Sequence, residues 1–386
     1  MDTEVAPHRP ASLTGAYLAC DWSGTTSEDE STLHQLSPYI GKTKSAMAGS
    51  LVSQFTKMGD TVYDPFAGSG TVALEAWMAG RSVIANDLSP YASLLTRAKL
   101  FPYKSLDDAL NDIKRIAAEV IESRMDVDLR KVPLWVRRFF HPQTLRETII
   151  WTDTLTRHRR WFLLASLMGI LHHQRPGFLS FPSSHTVPYL RTNKFPRSQF
   201  PQLYEYRSLR DRLEAKVRRA FRRMPDLNFT VRRRCLSKSA ATLVPAESVD
   251  AIITSPPYMR QLDYGRDNRL RLWFLGVDDW QSLDNRISPA QDVFLNLMGR
   301  CFATWRAVLK PAHYCVLIIG DACSRANRRN LPQLVTDIAT KEVAGYQYVC
   351  EYTDAIPSER RVRRGLEGSS SESIIVLRNL PISAQV

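Results

Sequence analysis

Residues 61–87 read TVYDPFAGSGTVALEAWMAGRSVIAND, and this stretch decides the fold. Its pattern predicts a short buried strand over 61–66, a glycine-rich turn, a helix from Gly70 to Gly80 and a second strand over 82–87. A strand, a helix and a strand in this order form a βαβ unit, whose two strands run parallel in one sheet. The sequence therefore predicts an α/β protein.

The remaining chain extends this pattern on both sides. A helix is predicted at 46–57, and further strands are predicted at 228–236, 249–255, 314–321, 347–356 and 373–379. The last two strands are predicted to form a reversed hairpin at the end of the sheet. Helical stretches at 107–123, 143–171 and 205–223, with a Pro- and Ser-rich loop at 174–206, predict an inserted region. We expect four parts: a flexible lead-in (1–32), a first half of the core (33–100), the insert (101–227) and a second half (228–386).

Composition excludes several classes of protein. Hydrophobic residues make up 44% and charged residues 24% of the 386 positions, as in an ordinary globular chain. No apolar run approaches the ~18 residues of a membrane span, and the N-terminus lacks the apolar region of a secretory signal, so we expect a cytoplasmic protein, associated with the nucleoid if bacterial. The six cysteines are scattered without a CxxC pair, which argues against a disulfide framework and a metal site.

The positive charge is concentrated in one stretch. Residues 131–234 contain 22 Lys and Arg against 6 Asp and Glu, a local charge of +16 in a chain whose net charge is +13. A block of one sign concentrates an electrostatic field, and the arginine fork matches phosphate oxygens in pairs. A polyanionic partner follows, and nucleic acid is the commonest one.

The glycine-rich turn predicts a nucleotide-like ligand. Gly68 and Gly70 allow backbone N–H groups to approach a ligand at the positive end of a helix, and Asp87 at the tip of the next strand can accept hydrogen bonds from ribose hydroxyls. Taken alone, the segment GSGTVA is also compatible with a dinucleotide site of an oxidoreductase, or with a tight turn that binds nothing.

The pentapeptide Thr254-Ser-Pro-Pro-Tyr258 follows an apolar strand directly. Its two prolines fix the backbone and remove two donors, so its carbonyls face outward at the edge of the sheet where ligands bind. The amino group of a nucleic-acid base is a poor nucleophile because its lone pair is delocalised into the ring. Acceptance of its N–H hydrogens by Ser255 and by the Pro256 carbonyl would localise that lone pair. Tyr258 can stack on a base extruded from the helix.

Together, the stretches DPFAGSG (64–70), IAND (84–87) and TSPPY (254–258) resemble the amino-methyltransferases of DNA. The segment LSPYIGK (36–42) is similar to the family's N-terminal cofactor-contacting motif. The resemblance implies a Rossmann-like class I methyltransferase sheet with S-adenosylmethionine as cofactor. The cofactor-binding residues that it implies are Tyr39, Lys42, Asp64, Pro65, Phe66, Ala67, Gly68, Gly70, Asp87, Leu88 and Thr254. The catalytic residues that it implies are Ser255, Pro256, Pro257 and Tyr258.

The same resemblance favours one of the possible reactions over the others. A serine at position 255 is associated in this family with methylation of cytosine N4, and an acid there with adenine N6. We therefore expect a site-specific DNA methyltransferase acting on cytosine N4 in a restriction-modification system, with a cognate endonuclease as a candidate partner. Adenine-N6 methylation, methylation of RNA bases and a catalytically idle nucleic-acid-binding protein remain alternatives. None of the cysteines follows a proline, which argues against a cytosine-C5 methyltransferase.

Arginines next to aromatic residues are the candidates for DNA contacts. Arginine can hold phosphates while an aromatic ring stacks on bases or wedges between them. An ordinary helical region whose arginine stems cover an aromatic core is the alternative. The predicted nucleic-acid-binding residues are Arg137, Arg138, Arg159, Arg160, Arg207, Arg218, Arg219 and, in the loop between the last two strands, Arg360 and Arg361.

Overall fold

A seven-stranded sheet forms the centre of the protein in a computed structural model, which describes residues 22, 25–26, 28–123, 125–185, 187–257, 262–320, 331–355 and 371–381. The strand order across the sheet is β3-β2-β1-β4-β5-β7-β6. The strands are β1 (Thr61–Asp64), β2 (Ser82–Asn86), β3 (Arg233–Leu236), β4 (Val249–Thr254), β5 (Leu309–Gly320), β6 (Tyr346–Ala355) and β7 (Ser371–Asn379).

Strands β1 to β5 pair in parallel, and β7 runs antiparallel between β5 and β6. This arrangement confirms the mostly parallel sheet and its reversed final hairpin. The chain proceeds from β1 toward β2 and β3 on one side, whereas β4 and β5 lie on the other side of β1. The order therefore reverses between β1 and β4, and in an open α/β sheet the crevice at such a point binds the ligand.

Twelve helices surround the described part of the sheet, and none of them is long and apolar enough to cross a membrane. The helices of the core are α1 (Ser45–Phe55), α2 (Thr71–Met78), α3 (Pro90–Leu100), α9 (Tyr264–Phe274), α10 (Trp280–Ile287), α11 (Gln291–Val308) and α12 (Leu331–Asp337). The helices of the insert are α4 (Leu106–Glu122), α5 (Leu134–Arg137), α6 (Pro142–Arg157), α7 (Trp161–Gly169) and α8 (Leu209–Ala220).

The two faces of the sheet bury alternate residues of each strand. Val62 and Ile253 pack on the face covered by α1 to α3, and Tyr63 and Ile252 pack on the face covered by α11 and α12. Alternation is the expected consequence of the two-residue period of a strand. The insert helices belong to the first of these layers, because their buried residues form one continuous hydrophobic cluster with α1 to α3. The insert therefore packs against the core rather than extending from it.

Two expectations about segments need correction. Trp22, placed in the flexible lead-in, is only 1% exposed and packs edge-on against Tyr352. Burial of an aromatic side chain of this size fixes Trp22 itself against β6. The single helix predicted over 143–171 is two helices, α6 and α7, because Arg159 between them has a φ of 54°, a left-handed conformation that ends a helix.

Candidate active site

The glycine loop joins β1 to α2 and depends on its glycines for steric reasons. Gly68 and Gly70 have φ values of 51° and 74°, which favour glycine. A Cβ atom on Gly70 would lie 2.8 Å from both the Cα and the Oγ1 of Thr96 on α3. The loop can therefore pack against α3 only with glycine at position 70, and this contact fixes where α2 begins.

Asp87 directly follows β2 and holds the glycine loop. Its carboxylate accepts hydrogen bonds from the Gly68 N–H and the Ser89 N–H, both at 2.8 Å. Burial raises the pKa of Asp87 to about 6, although these two bonds act in the opposite direction. A carboxylate offers about four acceptor positions. Asp87 can thus brace the loop and still accept hydrogen bonds from ligand hydroxyls.

Asp64 and Thr254 connect the two strands that flank the reversal of strand order. The Thr254 hydroxyl donates to the Asp64 carboxylate at 2.7 Å and accepts from the Phe66 N–H at 3.1 Å. Burial raises the pKa of Asp64 to about 7, and the nearby Asp87 carboxylate adds to the rise. The strand end that carries the glycine loop and the strand end that carries the Ser-Pro-Pro segment are thereby fixed relative to each other.

The Ser-Pro-Pro segment leaves β4 toward the same cleft. The Ser255 hydroxyl donates to the Ile318 carbonyl of β5 at 3.1 Å. Since its proton is directed to that carbonyl, the Ser255 oxygen can only accept from a further group. Ser255 and Pro257 line the cleft, whereas Pro256 is buried. Tyr258 lies outside the described residues, and its stacking role stays a prediction.

The N-terminal motif forms a wall of the cleft. The Tyr39 ring lies 6.0 Å from the rings of both Tyr91 and Tyr264, and a Cβ on Gly68 would be 3.4 Å from it. Lys42 also lines the cleft, but its ammonium donates to the Glu30 carboxylate at 2.9 Å. A predicted cofactor contact of Lys42 therefore competes with this ion pair.

These elements enclose one cleft of about 920 Å³, a volume that includes its open mouth. Nine of the predicted cofactor residues line this cleft. The two that do not are Gly70, which is the N-cap of α2, and Thr254, which accepts a hydrogen bond from the Phe66 N–H. Other lining residues are not among those predicted to bind the cofactor. They are Gly41, Thr43, Ser69, Thr71, Val72, Asn86, Ser89, Lys238, Ser239, Ala240, Tyr264, Arg286, Ile287 and Leu297.

Two of these additional residues have a partial signal in the sequence. The resemblance implies an acid after β3, where this chain reads CLSKSA (235–240), and Ser237 or Ser239 is the expected substitute. Of these two serines, Ser239 lines the cleft. Tyr264 belongs to the segment after the catalytic pentapeptide that is similar to family members. Arg286 is exposed at the end of α10, and no sequence motif marks it as a site residue. Only the packing of α10 against α9 brings it to the cleft.

The predicted DNA-binding arginines differ in how exposed their side chains are. Arg138, Arg159, Arg218 and Arg219 are exposed, Arg137 is half-buried, and Arg160 forms an ion pair with Asp112 at 2.7 Å. Arg360 and Arg361 lie outside the described residues.

The prediction for Arg207 is wrong. Its side chain is buried, and its guanidinium donates to the carbonyls of Phe178, Ser180 and Leu203. Three backbone acceptors hold Arg207 inside the insert, where it ties the 174–206 loop to the start of α8.

Part of the chain is similar to known proteins. Residues 21–96, which include the glycine loop and Asp87, match the family model described as DNA methylase. This part of the chain is therefore similar to DNA methylases. The matched residues also include Trp22, Tyr39 and Lys42.

Two curated relatives resemble larger parts of the chain. It is 25% identical over 276 residues to the type II methyltransferase M.BsoBI of Geobacillus stearothermophilus, a match that covers 64% of this chain and 53% of that protein. It is 30% identical over 114 residues to the type II methyltransferase M.MjaII of Methanocaldococcus jannaschii, covering 28% and 22%. The chain thus spans about half the length of the first relative and less of the second.

Among solved structures, the chain matches TrmN of Thermus thermophilus with 13% identity and a TM-score of 0.35, over 88% of this chain and 50% of that one. The fold is assigned from the strand order, which is that of a Rossmann-like class I methyltransferase sheet.

S-adenosylmethionine is the cofactor of such methylases, and the cleft suits its chemistry. Asp87 is a buried acceptor suited to ribose hydroxyls, and Gly68 allows close approach of the backbone. Phe66, Leu88 and Leu297 supply apolar surface for a planar ring. When bound, the cofactor supplies an electrophilic methyl group on its sulfonium.

Proposed function

We propose that the protein transfers a methyl group from S-adenosylmethionine to an exocyclic amino group of a DNA base. The observation that carries this proposal is the position of Ser255, which lines the same cleft as Asp87 and the glycine loop. An acceptor for an amino group and a cofactor site thus occupy one cavity, at the point where the strand order reverses.

The chain's own residues activate the amino group by accepting its hydrogens. The Ser255 oxygen, whose proton is directed to Ile318, accepts one N–H, and the Pro256 carbonyl accepts the other. This draws the nitrogen lone pair out of conjugation with the ring. The nitrogen bonds to the methyl carbon as the carbon–sulfur bond breaks, and one amino proton then passes to solvent. The prolines keep the acceptors in place without reorganisation.

Cytosine N4 is the proposed target atom, with adenine N6 as the alternative. Support for cytosine comes from the serine at position 255, by resemblance to family members with this residue. The exposed arginines of the insert, Arg138, Arg159, Arg218 and Arg219, support a DNA substrate, because phosphate contacts supply most of the affinity of DNA-binding proteins. A cognate restriction endonuclease stays a predicted partner, in keeping with the type II relatives.

The test is the identity of the modified base. Purified protein with labelled S-adenosylmethionine is given duplex DNA, single-stranded DNA and structured RNA, and the digested nucleosides are separated by mass. We expect label in N4-methylcytosine from duplex DNA. Label in N6-methyladenine would show that adenine N6 is the target atom, and label in RNA alone would show that RNA is the substrate. NADPH binding without methyl transfer would overturn the proposed activity.

A further inference from the structure

A turn of the insert lies against Leu262, which follows the Thr-Ser-Pro-Pro-Tyr segment in the chain. Ser183 and Leu190 form an isolated antiparallel bridge, and the Ser184 N–H donates to the Tyr189 carbonyl at 2.8 Å, so the turn between them is closed by backbone bonds. His172 fixes the turn to the end of α7, because its Nδ1 atom lies 2.9 Å from the Ser184 carbonyl. This part of the insert is therefore held in place rather than loosely attached.

The turn contacts the core beside the cleft. Val187 packs on a small apolar cluster made by Ile40, Leu262 and Tyr264. Ile40 belongs to the N-terminal motif, Leu262 follows the catalytic pentapeptide, and Tyr264 lines the cleft itself. The cluster thus joins Val187 of the insert to Tyr264 of the cleft wall. Tyr189 follows Val187 by two residues, so it lies near this wall.

Tyr189 is the aromatic residue that this turn exposes. Its side chain is 52% exposed, and the Arg269 guanidinium lies 5.0 Å from the centre of its ring. Arg269 is itself fixed, since it donates to the Pro188 carbonyl at 2.6 Å and to the Arg266 carbonyl at 3.0 Å. A cation–π contact with an immobilised arginine holds the ring in one orientation and adds positive charge beside it.

A rigid, exposed ring with a neighbouring cation, close to the wall of a cleft, matches the requirements of a nucleobase platform. Stacking on an aromatic ring is tolerant of sequence because every base has a π-face, and the arginine attracts the flanking phosphate. An exposed ring with no such role would gain nothing from being fixed. Tyr348 on β6, 46% exposed, has no arginine over its ring among the described cation–π pairs.

We propose that Tyr189 stacks on a base of the substrate strand beside the target nucleotide, with Arg269 holding the ring for this contact. Tyr189 is then a positioning residue: it keeps the strand in register while the target base occupies the cleft. The inference rests on the proposed function, because it takes DNA as the substrate, and it adds the surface that receives the neighbouring base.

The experiment compares Tyr189→Ala with Tyr189→Phe, which keeps the ring, and with the matched surface control Tyr348→Ala. Steady-state methylation gives KM for DNA and kcat, and 2-aminopurine at the target position reports base extrusion by fluorescence. We expect Tyr189→Ala to raise KM for DNA by about 5- to 100-fold, the range for removal of one stacked ring, and to lower the 2-aminopurine signal. Tyr189→Phe and Tyr348→Ala should stay near wild type, with cofactor binding and melting temperature unchanged throughout.

The outcomes separate the two proposals. If the wild-type protein methylates DNA and Tyr189→Ala behaves like Tyr348→Ala, the role of Tyr189 is overturned while the proposed function stands. If Tyr189→Phe loses as much as Tyr189→Ala, the hydroxyl rather than stacking matters, and the platform is again overturned. If the wild-type protein methylates no DNA, the proposed function fails first and this inference fails with it.

Discussion

Two residues of the cleft, Ser255 and Asp87, are each held by backbone groups. The Ser255 hydroxyl donates to the Ile318 carbonyl, and Asp87 accepts from the N–H groups of Gly68 and Ser89. Such partners are fixed by the strands and the glycine loop, so the two functional side chains keep their positions when no ligand is bound. Preorganisation of this kind is what catalysis by positioned dipoles requires.

The first prediction at this scale concerns Ser255. We expect Ser255→Ala to reduce methyl transfer by about 100- to 1,000-fold, the usual effect of removing one preorganised polar group. The Kd for S-adenosylmethionine should stay near the wild-type value, because Asp87 and the glycine loop remain. Single-turnover transfer and calorimetric binding measure the two quantities, with the exposed Ser282→Ala as control. Unchanged turnover in Ser255→Ala would refute the role of Ser255.

The second prediction is a pH dependence of cofactor binding that arises from Asp87. Burial raises its pKa to about 6, so the carboxylate is ionised above that pH and neutral below it. A neutral carboxyl group accepts hydrogen bonds more weakly, and affinity should therefore fall as the pH drops through 6. Calorimetry between pH 5 and pH 8 measures this change. Asp87→Asn should bind weakly and lose the slope near pH 6, and a remaining slope near pH 7 would belong to Asp64.

At the scale of elements, the connection from β1 to α2 is the most constrained part of the fold. It combines two left-handed glycines, a close contact with α3 and the bonds from Thr254 and Asp87. The pattern of residues 61–87 predicts this unit correctly, because strand and helix periodicity and turn chemistry are local. It does not predict the break between α6 and α7, since nothing in the apolar pattern of 143–171 marks the left-handed Arg159.

A pair of glycine substitutions tests the steric part of this constraint. Gly70→Ala adds a methyl group 2.8 Å from Thr96 at a φ of 74°, whereas Gly59→Ala has a φ of 89° and no atom within 4 Å. Gly59→Ala should therefore lose about 1 kcal/mol of stability from the backbone alone. Gly70→Ala should lose clearly more and bind S-adenosylmethionine poorly. Denaturant unfolding of both variants compares them, and equal losses would contradict the role of the contact with Thr96.

At the scale of the whole molecule, the insert and the core form one packed layer. Their helices share a hydrophobic cluster, and Thr32 near the N-terminus donates to the Ala220 carbonyl at the end of α8. The positive charge of the insert is therefore presented on a surface whose orientation relative to the cleft is fixed. Part of that charge is internal, however, because Arg207 is buried among carbonyls.

The last prediction separates internal from external arginines. Arg207→Leu leaves its carbonyl partners without their donor and should lower the free energy of unfolding by about 1–3 kcal/mol. Replacement of the exposed Arg218 and Arg219 by Ala should leave stability unchanged and weaken DNA binding. The slope of log K against log salt should become shallower by about 0.9 for each phosphate that the variant no longer binds. Fluorescence anisotropy between roughly 50 and 200 mM salt measures this slope. An unchanged slope would show that these arginines do not contact DNA.

The sequence by itself determined the parallel sheet with its reversed hairpin, and it predicted the insert and the glycine loop, Asp87 and Ser255 as site residues. These features follow from periodicity, turn chemistry and short motifs, all of which act within a few neighbouring residues. Only the tertiary structure decided that Ser255 is oriented by Ile318, that Arg286 reaches the cleft, that Arg207 is buried, and that the turn before Tyr189 packs beside Tyr264. Each of these depends on contacts between segments far apart in the chain, and strand order and helix packing, rather than local pattern, bring such segments together.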